Sequence, residues 1–323
     1  MPEYAKYISR CLQLARLGAY YVAPNPMVGA VLVHGEGENA RIIGEGWHRQ
    51  YGGPHAEVNC FASVKAEDEK FVQESTLYVS LEPCSHYGKT PPCADLIVSK
   101  GVKKCVVGMR DPNPLVAGQG IKRLEEHGIE VVCGIMEAEC RELNKRFICL
   151  HEKKRPYVIL KWAQTADGFM DKKRPIPSGA TRPEEGPLVI STPLMKRLVH
   201  KMRAENMAIL VGANTAILDN PKLTTSKWCG RNPIRILLDR RGRVPRDSRI
   251  FSDEAETIVY SENTAWEYVL GDLAKRGIHS VLVEGGAQVL TSIIQSGIYD
   301  EVQIEKGTMT IGDGIKAPKI DKR

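Results

Sequence analysis

The first apolar positions of the chain recur at helical spacing. Tyr7, Ile8, Cys11, Leu12, Leu14 and Ala15 share one face and predict an amphipathic helix over residues 4–19. Continuous or alternating apolar runs then predict strands. "VGAVLVHGEG" reads as a buried strand from Val28 to Val33 followed by a turn, and "RIIGEGWH" as a second strand. "PHAEVNCFASVK" predicts a helix opening at Pro54 or His55. "STLYVSLEPC" predicts a strand running out into a loop. "PPCADLIVSKG" predicts a helix with Pro92 near its first turn and Gly101 closing it. "KKCVVGMRD" gives a further strand, and "GIKRLEEHGIEVVCG" gives helix, glycine stop and strand. Strands and helices that alternate in this way predict a layered α/β domain.

Near residue 150 the pattern changes. "HEKKRP" is a charged, proline-marked connection, and "YVILKWA" begins a new strand. A domain boundary is expected between Arg146 and Pro156, dividing the chain into residues 1–149 and 150–323. Beyond it, residues 172–187 are rich in Pro, Gly and charge and predict a loop. "STPLMKRLVHKMRAEN" predicts a helix capped by Thr192 with Pro193 in its first position. "AILVGANTAILDNP", "PIRILLDRRGRVP", "ETIVYS" and "SVLVEGGAQVLTSIIQSG" continue the α/β alternation.

Composition narrows the classes. A length of 323 residues suits two domains, and 42% hydrophobic with 26% charged residues is ordinary for a soluble globular chain. The net charge of +6 suits anionic small molecules, whereas no dense Lys/Arg tract points to nucleic acid. No apolar run approaches bilayer-spanning length, and the first twenty residues read as an amphipathic helix rather than a signal peptide. Nine scattered cysteines form no disulfide framework. The chain is therefore expected to be cytoplasmic, with no membrane or nucleic-acid partner and with reduced thiols. Close Cys and His groups then favour metal or catalysis.

Such a group is present. His55, Cys84 and Cys93 offer one imidazole and two thiolates, the donors of a catalytic zinc site that keeps its fourth position open. Cys93 is expected to open a helix, whose N–H groups favour the thiolate. Glu57, two residues after His55, is placed to shuttle a proton beside the metal-bound water, whose pKa zinc lowers to roughly 7. This H-x-E plus P-C…C arrangement is the zinc deaminase signature. Its two cysteines are usually two residues apart internally. Here the eight residues "SHYGKTPP" intervene and carry His86 and Lys89, both suited to a polar or anionic substrate at the mouth of the site.

The segment "PCSHYGKTPPC", with "PNPMVGAVLV", "GWHRQYGGPHAEV" and "RDPNPLVAGQGIKRLEEHGIEV", resembles the bifunctional riboflavin biosynthesis enzymes. These are diaminohydroxyphosphoribosylaminopyrimidine deaminases joined to 5-amino-6-(5-phosphoribosylamino)uracil reductases. The resemblance implies an N-terminal cytidine-deaminase-like three-layer α/β/α domain and a C-terminal dihydrofolate-reductase-like α/β domain. It implies zinc on His55, Cys84 and Cys93, with Glu57 catalytic. It also implies Asn25, His48, His86 and Lys89 around the phosphorylated aminopyrimidine.

In the second half "ILVGANTAILDNPKLT" and "VEGG" carry the resemblance. It implies NADPH against Ala163, Thr215, Asp219, Gly285, Gly286, Ala287 and Gln288. The substrate would meet Lys161, Arg203, Leu223 and Glu284, and hydride would reach C1 of the ribosyl group. On the residues alone, Glu-Gly-Gly before a helix is either a phosphate-binding turn or a plain tight turn. Arg240 and Arg241, after the strand "RILLD", are candidates for the cofactor 2′-phosphate. The sequence departs from the family at Val189, where a Trp is common, and at Ser226, where an Arg is common. A homo-oligomer, dimer or tetramer, is expected by family resemblance. The alternative function is a nucleoside or tRNA deaminase with an appended binding domain that is not a reductase.

Overall fold

The computed structural model describes residues 2–87, 91–114, 116–176 and 185–320. The chain divides into two compact units, residues 1–153 and 154–323.

The first unit runs α1 (Pro2–Arg16), β1 (Gly29–His34), β2 (Arg41–Trp47), α2 (Ala56–Ala62), β3 (Thr76–Val79), α3 (Cys93–Lys100), β4 (Lys104–Val107), α4 (Gln119–Glu126), β5 (Glu130–Cys133), α5 (Glu137–Leu143) and α6 (Lys145–Lys153). Its sheet has the order β2-β1-β3-β4-β5. The hairpin partners β1 and β2 are antiparallel, as are β1 and β3, and the β3-β4-β5 ladder is parallel. Alternate residues of a strand face opposite sides, and β1 shows the consequence. Ala30 and Leu32 join Ala56, Cys60 and Phe61 of α2, Ala94 and Ile97 of α3, and Leu124 of α4. Val31 and Val33 join Tyr7, Ile8, Cys11 and Leu12 of α1 with Cys140 and Ile148. One sheet thus separates two helical layers, each closed by its own apolar core.

The units part at Lys153/Lys154, within the expected window from Arg146 to Pro156, while the 149/150 division itself falls inside α6. Within α6 only Ile148 and Cys149 are buried, so its charged remainder carries the signature of a linker.

The second unit runs β6 (Tyr157–Gln164), β7 (Phe169–Asp171), α7 (Pro193–Ala204), β8 (Ala208–Gly212), α8 (Ala213–Asp219), β9 (Ile234–Leu238), β10 (Thr257–Tyr260), α9 (Trp266–Lys275), β11 (Ser280–Val283), α10 (Ala287–Ser296), β12 (Glu301–Lys306) and β13 (Ile315–Lys316). Six strands form a parallel sheet of order β10-β9-β8-β11-β6-β12, while β7 and β13 pair separately. Parallel strands need cover on both faces, and their sequences are nearly continuous apolar runs. Leu210, Ile236, Val281 and Val283 pack with α9 and α10, whereas Ile209, Val211 and Leu237 pack with Ala213, Ala216 and Ile217 of α8. Thr192 caps α7, its hydroxyl accepting from Met195 N at 3.2 Å, with Pro193 first in the helix as expected.

Candidate functional site: a three-donor metal cluster and a second-domain cavity

In the first unit, three elements deliver three soft donors. His55 is the residue before α2, and its side chain caps nothing, which leaves the ring free to turn inward. Cys84 lies in the loop after β3, and Cys93 opens α3. The loop is closed by two backbone donors: Ala94 N–H to the Cys84 carbonyl at 3.1 Å, and Cys93 N–H to the Cys84 sulfur at 3.3 Å. His55 Nδ1 lies 3.5 Å from Cys84 Sγ and 3.3 Å from Cys93 Sγ, and all three donor atoms fall within 4.8 Å of one another. Zn–S and Zn–N bonds of about 2.3 and 2.0 Å at tetrahedral angles require donor separations of about 3.5 Å. The donors and their spacing therefore fit zinc, with one corner open to a non-protein ligand.

Glu57 is only 3% exposed. Burial raises its carboxyl to about 7, and the neighbouring Cys84 thiolate adds to the shift. Hydrogen bonding to Cys93 pulls the Cys84 thiol down to about 4, with His55 contributing, while the Cys93 thiol rises as its partner keeps the charge. Cys11, Cys60 and Cys105 differ in kind. They are buried in apolar cores, and burial pushes each thiol up. None of the nine cysteines forms a disulfide.

Asn25 and His48 are also brought together beside this cluster. Asn25 Nδ2 and His48 Nε2 are 3.1 Å apart, and the His48 ring stands edge-on to His55 with centroids 5.3 Å apart. His86 is exposed, two residues beyond Cys84. Lys89 lies outside the described residues. Sequence reasoning missed Glu82, two residues before Cys84. Its buried carboxylate accepts four backbone N–H groups from the 111–121 segment. A carboxylate immediately before Pro-Cys is the only signal for it in the sequence.

The second unit holds a cavity of about 810 Å³. It is lined by Lys161, Ala163, Thr215, Asp219, Glu284, Gly285, Gly286, Ala287 and Gln288, among others, so nine expected residues meet at one place. The glycine turn precedes α10, with Gly286 as its N-cap. A Cβ on Gly286 would stand 3.0 Å from the Thr215 hydroxyl, so a side chain there would fill the cradle. Bare N–H groups at a helix N-terminus beside an unfilled cradle fit a dinucleotide phosphate. Arg240, Arg241 and Arg243 stand on the same wall.

Two expected contacts fall elsewhere. Arg203 does not line the cavity. It grips Glu284 from behind, Nε to Oε1 at 3.0 Å and Nη2 to Oε2 at 2.7 Å, and gives a third bond to Thr224 O at 3.1 Å. Leu223 is buried in the core against α8. Neither Val189 nor Ser226 lines the cavity. Sequence reasoning also missed Arg174, which bridges Asp171 and Asp219. It missed Glu305 as well, which stands 3.9 Å from Lys161 Nζ and accepts from Ser191 Oγ at 2.6 Å.

Two family models match the two units. Residues 1–109 match the cytidine and deoxycytidylate deaminase zinc-binding region, and residues 156–320 match the RibD C-terminal domain. The riboflavin biosynthesis protein RibD of Aquifex aeolicus is 37% identical over 331 residues, spanning 96% of this chain and 88% of the relative. The chain belongs to the RibD family. RibD of Escherichia coli K12 is 34% identical, over 92% of this chain and 85% of its own. The crystal structure of a Thermotoga maritima diaminohydroxyphosphoribosylaminopyrimidine deaminase/5-amino-6-(5-phosphoribosylamino)uracil reductase is similar throughout. It has a TM-score of 0.85 and 39% identity, covering 97% of this chain and 89% of that one. Acinetobacter baumannii RibD gives a TM-score of 0.87 at 32% identity, covering 100% and 92%. The RibD membership carries both halves: a cytidine-deaminase-like domain and a dihydrofolate-reductase-like domain, in a bifunctional deaminase and reductase of riboflavin biosynthesis. No helix among the described residues is long and apolar enough to cross a membrane.

Proposed function

We propose that the first unit hydrolyses the exocyclic amine of 2,5-diamino-6-(5-phosphoribosylamino)pyrimidin-4-one. The second unit then reduces the ribosyl group of the product to ribityl with NADPH. The observation that carries the first step is Glu57, a buried carboxyl raised to about 7, beside a three-donor cluster with one open corner. His55, Cys84 and Cys93 would hold zinc, which when bound would supply a Lewis acid that makes water a nucleophile near neutral pH. Glu57 takes the proton from the attacking water and passes it to the departing nitrogen. The carbon–nitrogen bond breaks as the carbon–oxygen bond forms, and ammonia leaves. A buried carboxyl, whose charged form burial disfavours, suits this two-way traffic. Asn25 and His86 face the pyrimidine and its ribose phosphate, and Lys89 is assigned to the phosphate.

In the second unit the Gly285–Gly286 turn and the α10 N-terminus receive the cofactor phosphates, with Ala163, Thr215, Asp219, Ala287 and Gln288 around them. NADPH, when bound, supplies the hydride. Lys161 and Glu284 orient the sugar, and Arg203 supports Glu284 rather than touching substrate. The test is a two-stage assay. The diaminopyrimidine ribosyl phosphate is supplied and ammonia followed. NADPH is then added and its absorbance followed. Ammonia release without NADPH consumption would remove the reductase assignment, and no ammonia from zinc-loaded protein would remove the deaminase assignment.

A further inference from the structure

Beside the metal cluster runs a hydrogen-bond chain whose direction is fixed at one end. His48, on the segment after β2, is 2% exposed. Its Nδ1 lies 2.9 Å from the Pro54 carbonyl oxygen, and its Nε2 lies 3.1 Å from Asn25 Nδ2. A carbonyl oxygen only accepts, so Nδ1 must carry the hydrogen. In the neutral ring Nε2 is then bare and can only accept. Asn25 meets that demand with its NH2 group, because its carbonyl oxygen there would set two acceptors face to face. The atom that faces Nε2 is the Asn25 amide nitrogen, at 3.1 Å, which is the arrangement a bare Nε2 requires.

The consequence falls on the other end of the Asn25 amide. Its Oδ1 has no partner among the described residues, and its backbone is pinned by an N–H bond to Val22 O at 2.9 Å. An asparagine free to rotate by half a turn would present donor and acceptor alike. Here the rotation is removed.

We propose that His48 is a positioning residue that locks the Asn25 side chain with Oδ1 presented as a hydrogen-bond acceptor. The deaminase half then selects a pyrimidine that offers a donor, a ring N–H or an amine, at that edge. The proposal rests on the reading of Asn25 as a substrate contact and moves His48 out of the substrate-touching set.

The test uses the full chain, loaded with zinc, with kcat and KM for ammonia release and zinc content as readouts. Asn25→Ala raises KM about tenfold, the worth of one hydrogen bond. His48→Asn keeps a donor near the Nδ1 position but deletes the Nε2 acceptor, and it raises KM by a similar factor. His48→Gln restores an acceptor near Nε2 and returns KM toward the wild-type value. Zinc content stays full in all three. The double variant Asn25→Ala/His48→Asn is no worse than Asn25→Ala alone, because both changes remove the same contact. Multiplication of the two effects, to about a hundredfold, would overturn the role of His48 while leaving Asn25 in place. So would a His48→Gln variant no better than His48→Asn. An unchanged KM in Asn25→Ala would remove the reading of Asn25 itself, and the inference with it.

Discussion

The Glu82 carboxylate accepts the backbone N–H of Gly120 at 3.0 Å, tying the start of α4 to the loop that carries Cys84. The approach is so close that a Cβ on Gly120 would stand 2.0 Å from the Pro83 carbonyl oxygen. Gly120→Ala must therefore displace Pro83 and, with it, Cys84. We expect a stability loss of about 1–3 kcal/mol, as for an overpacked core, and a lowered zinc content. Denaturant unfolding and metal analysis check this. An alanine variant with full zinc and an unshifted midpoint would contradict it.

Glu57→Gln preserves shape and removes the exchangeable proton. Ammonia release should fall by about 10²–10⁴-fold with zinc retained, the usual worth of a general acid/base. Removing the metal by chelation should abolish ammonia release while leaving NADPH oxidation intact when the deaminated pyrimidine is supplied directly. Parallel loss of both activities on chelation would show that the two chemistries are not separately housed.

Arg203→Ala leaves Glu284 buried without its counter-charge. The loss should be about 3–5 kcal/mol in urea unfolding near neutral pH. Burial by itself raises the Glu284 carboxyl, but the charge and hydrogen bonds of Arg203 overcome it and hold the group below the usual carboxylate range. A depressed carboxyl stabilises fully above the ordinary glutamate value, about 4.3, and the contribution is lost as pH falls through the folded value. The gap between wild type and Arg203→Ala should therefore narrow in acid. A gap that fails to narrow as pH falls well below about 4.3 would exclude this pair as the cause.

Arg240 and Arg241 stand at the cavity wall with no carboxylate partner among the described residues. Across the sheet, β9 lies beyond β8 from the glycine turn after β11, roughly 10 Å away at two strand spacings. Alanines at both positions should weaken binding of 2′,5′-ADP about tenfold or more in calorimetry and leave 5′-AMP nearly unchanged. Added salt should erode the wild-type preference. Equal losses for the two nucleotides would assign the arginines to the shared phosphate instead.

The sequence was most readable where local chemistry and local structure coincide. His55, Glu57, Cys84 and Cys93 announce themselves by residue type and by their places at helix starts. The core strands announce themselves as apolar runs. What the sequence concealed depends on pairing at long range. Arg203 and Glu284 both read as substrate contacts, and only the fold shows that residues 81 apart spend their charges on each other. Arg174 looked like one more charge in a loop until Asp171 and Asp219 closed around it. The last turn of α6, residues 151–153, reads as part of a charged connection because the helix buries only Ile148 and Cys149. Glu82 escaped because its partners are backbone N–H groups, which no side-chain pattern records.

The two cysteines of the metal cluster are joined twice at the ends of the segment between them, through the Cys84 sulfur and the Cys84 carbonyl. The chain therefore enters and leaves that segment through a closed clasp. A clasp of this kind makes the segment an exchangeable cassette. Its length and residues can be rewritten for a different substrate edge while the thiolates, and the chemistry they support, stay where they are.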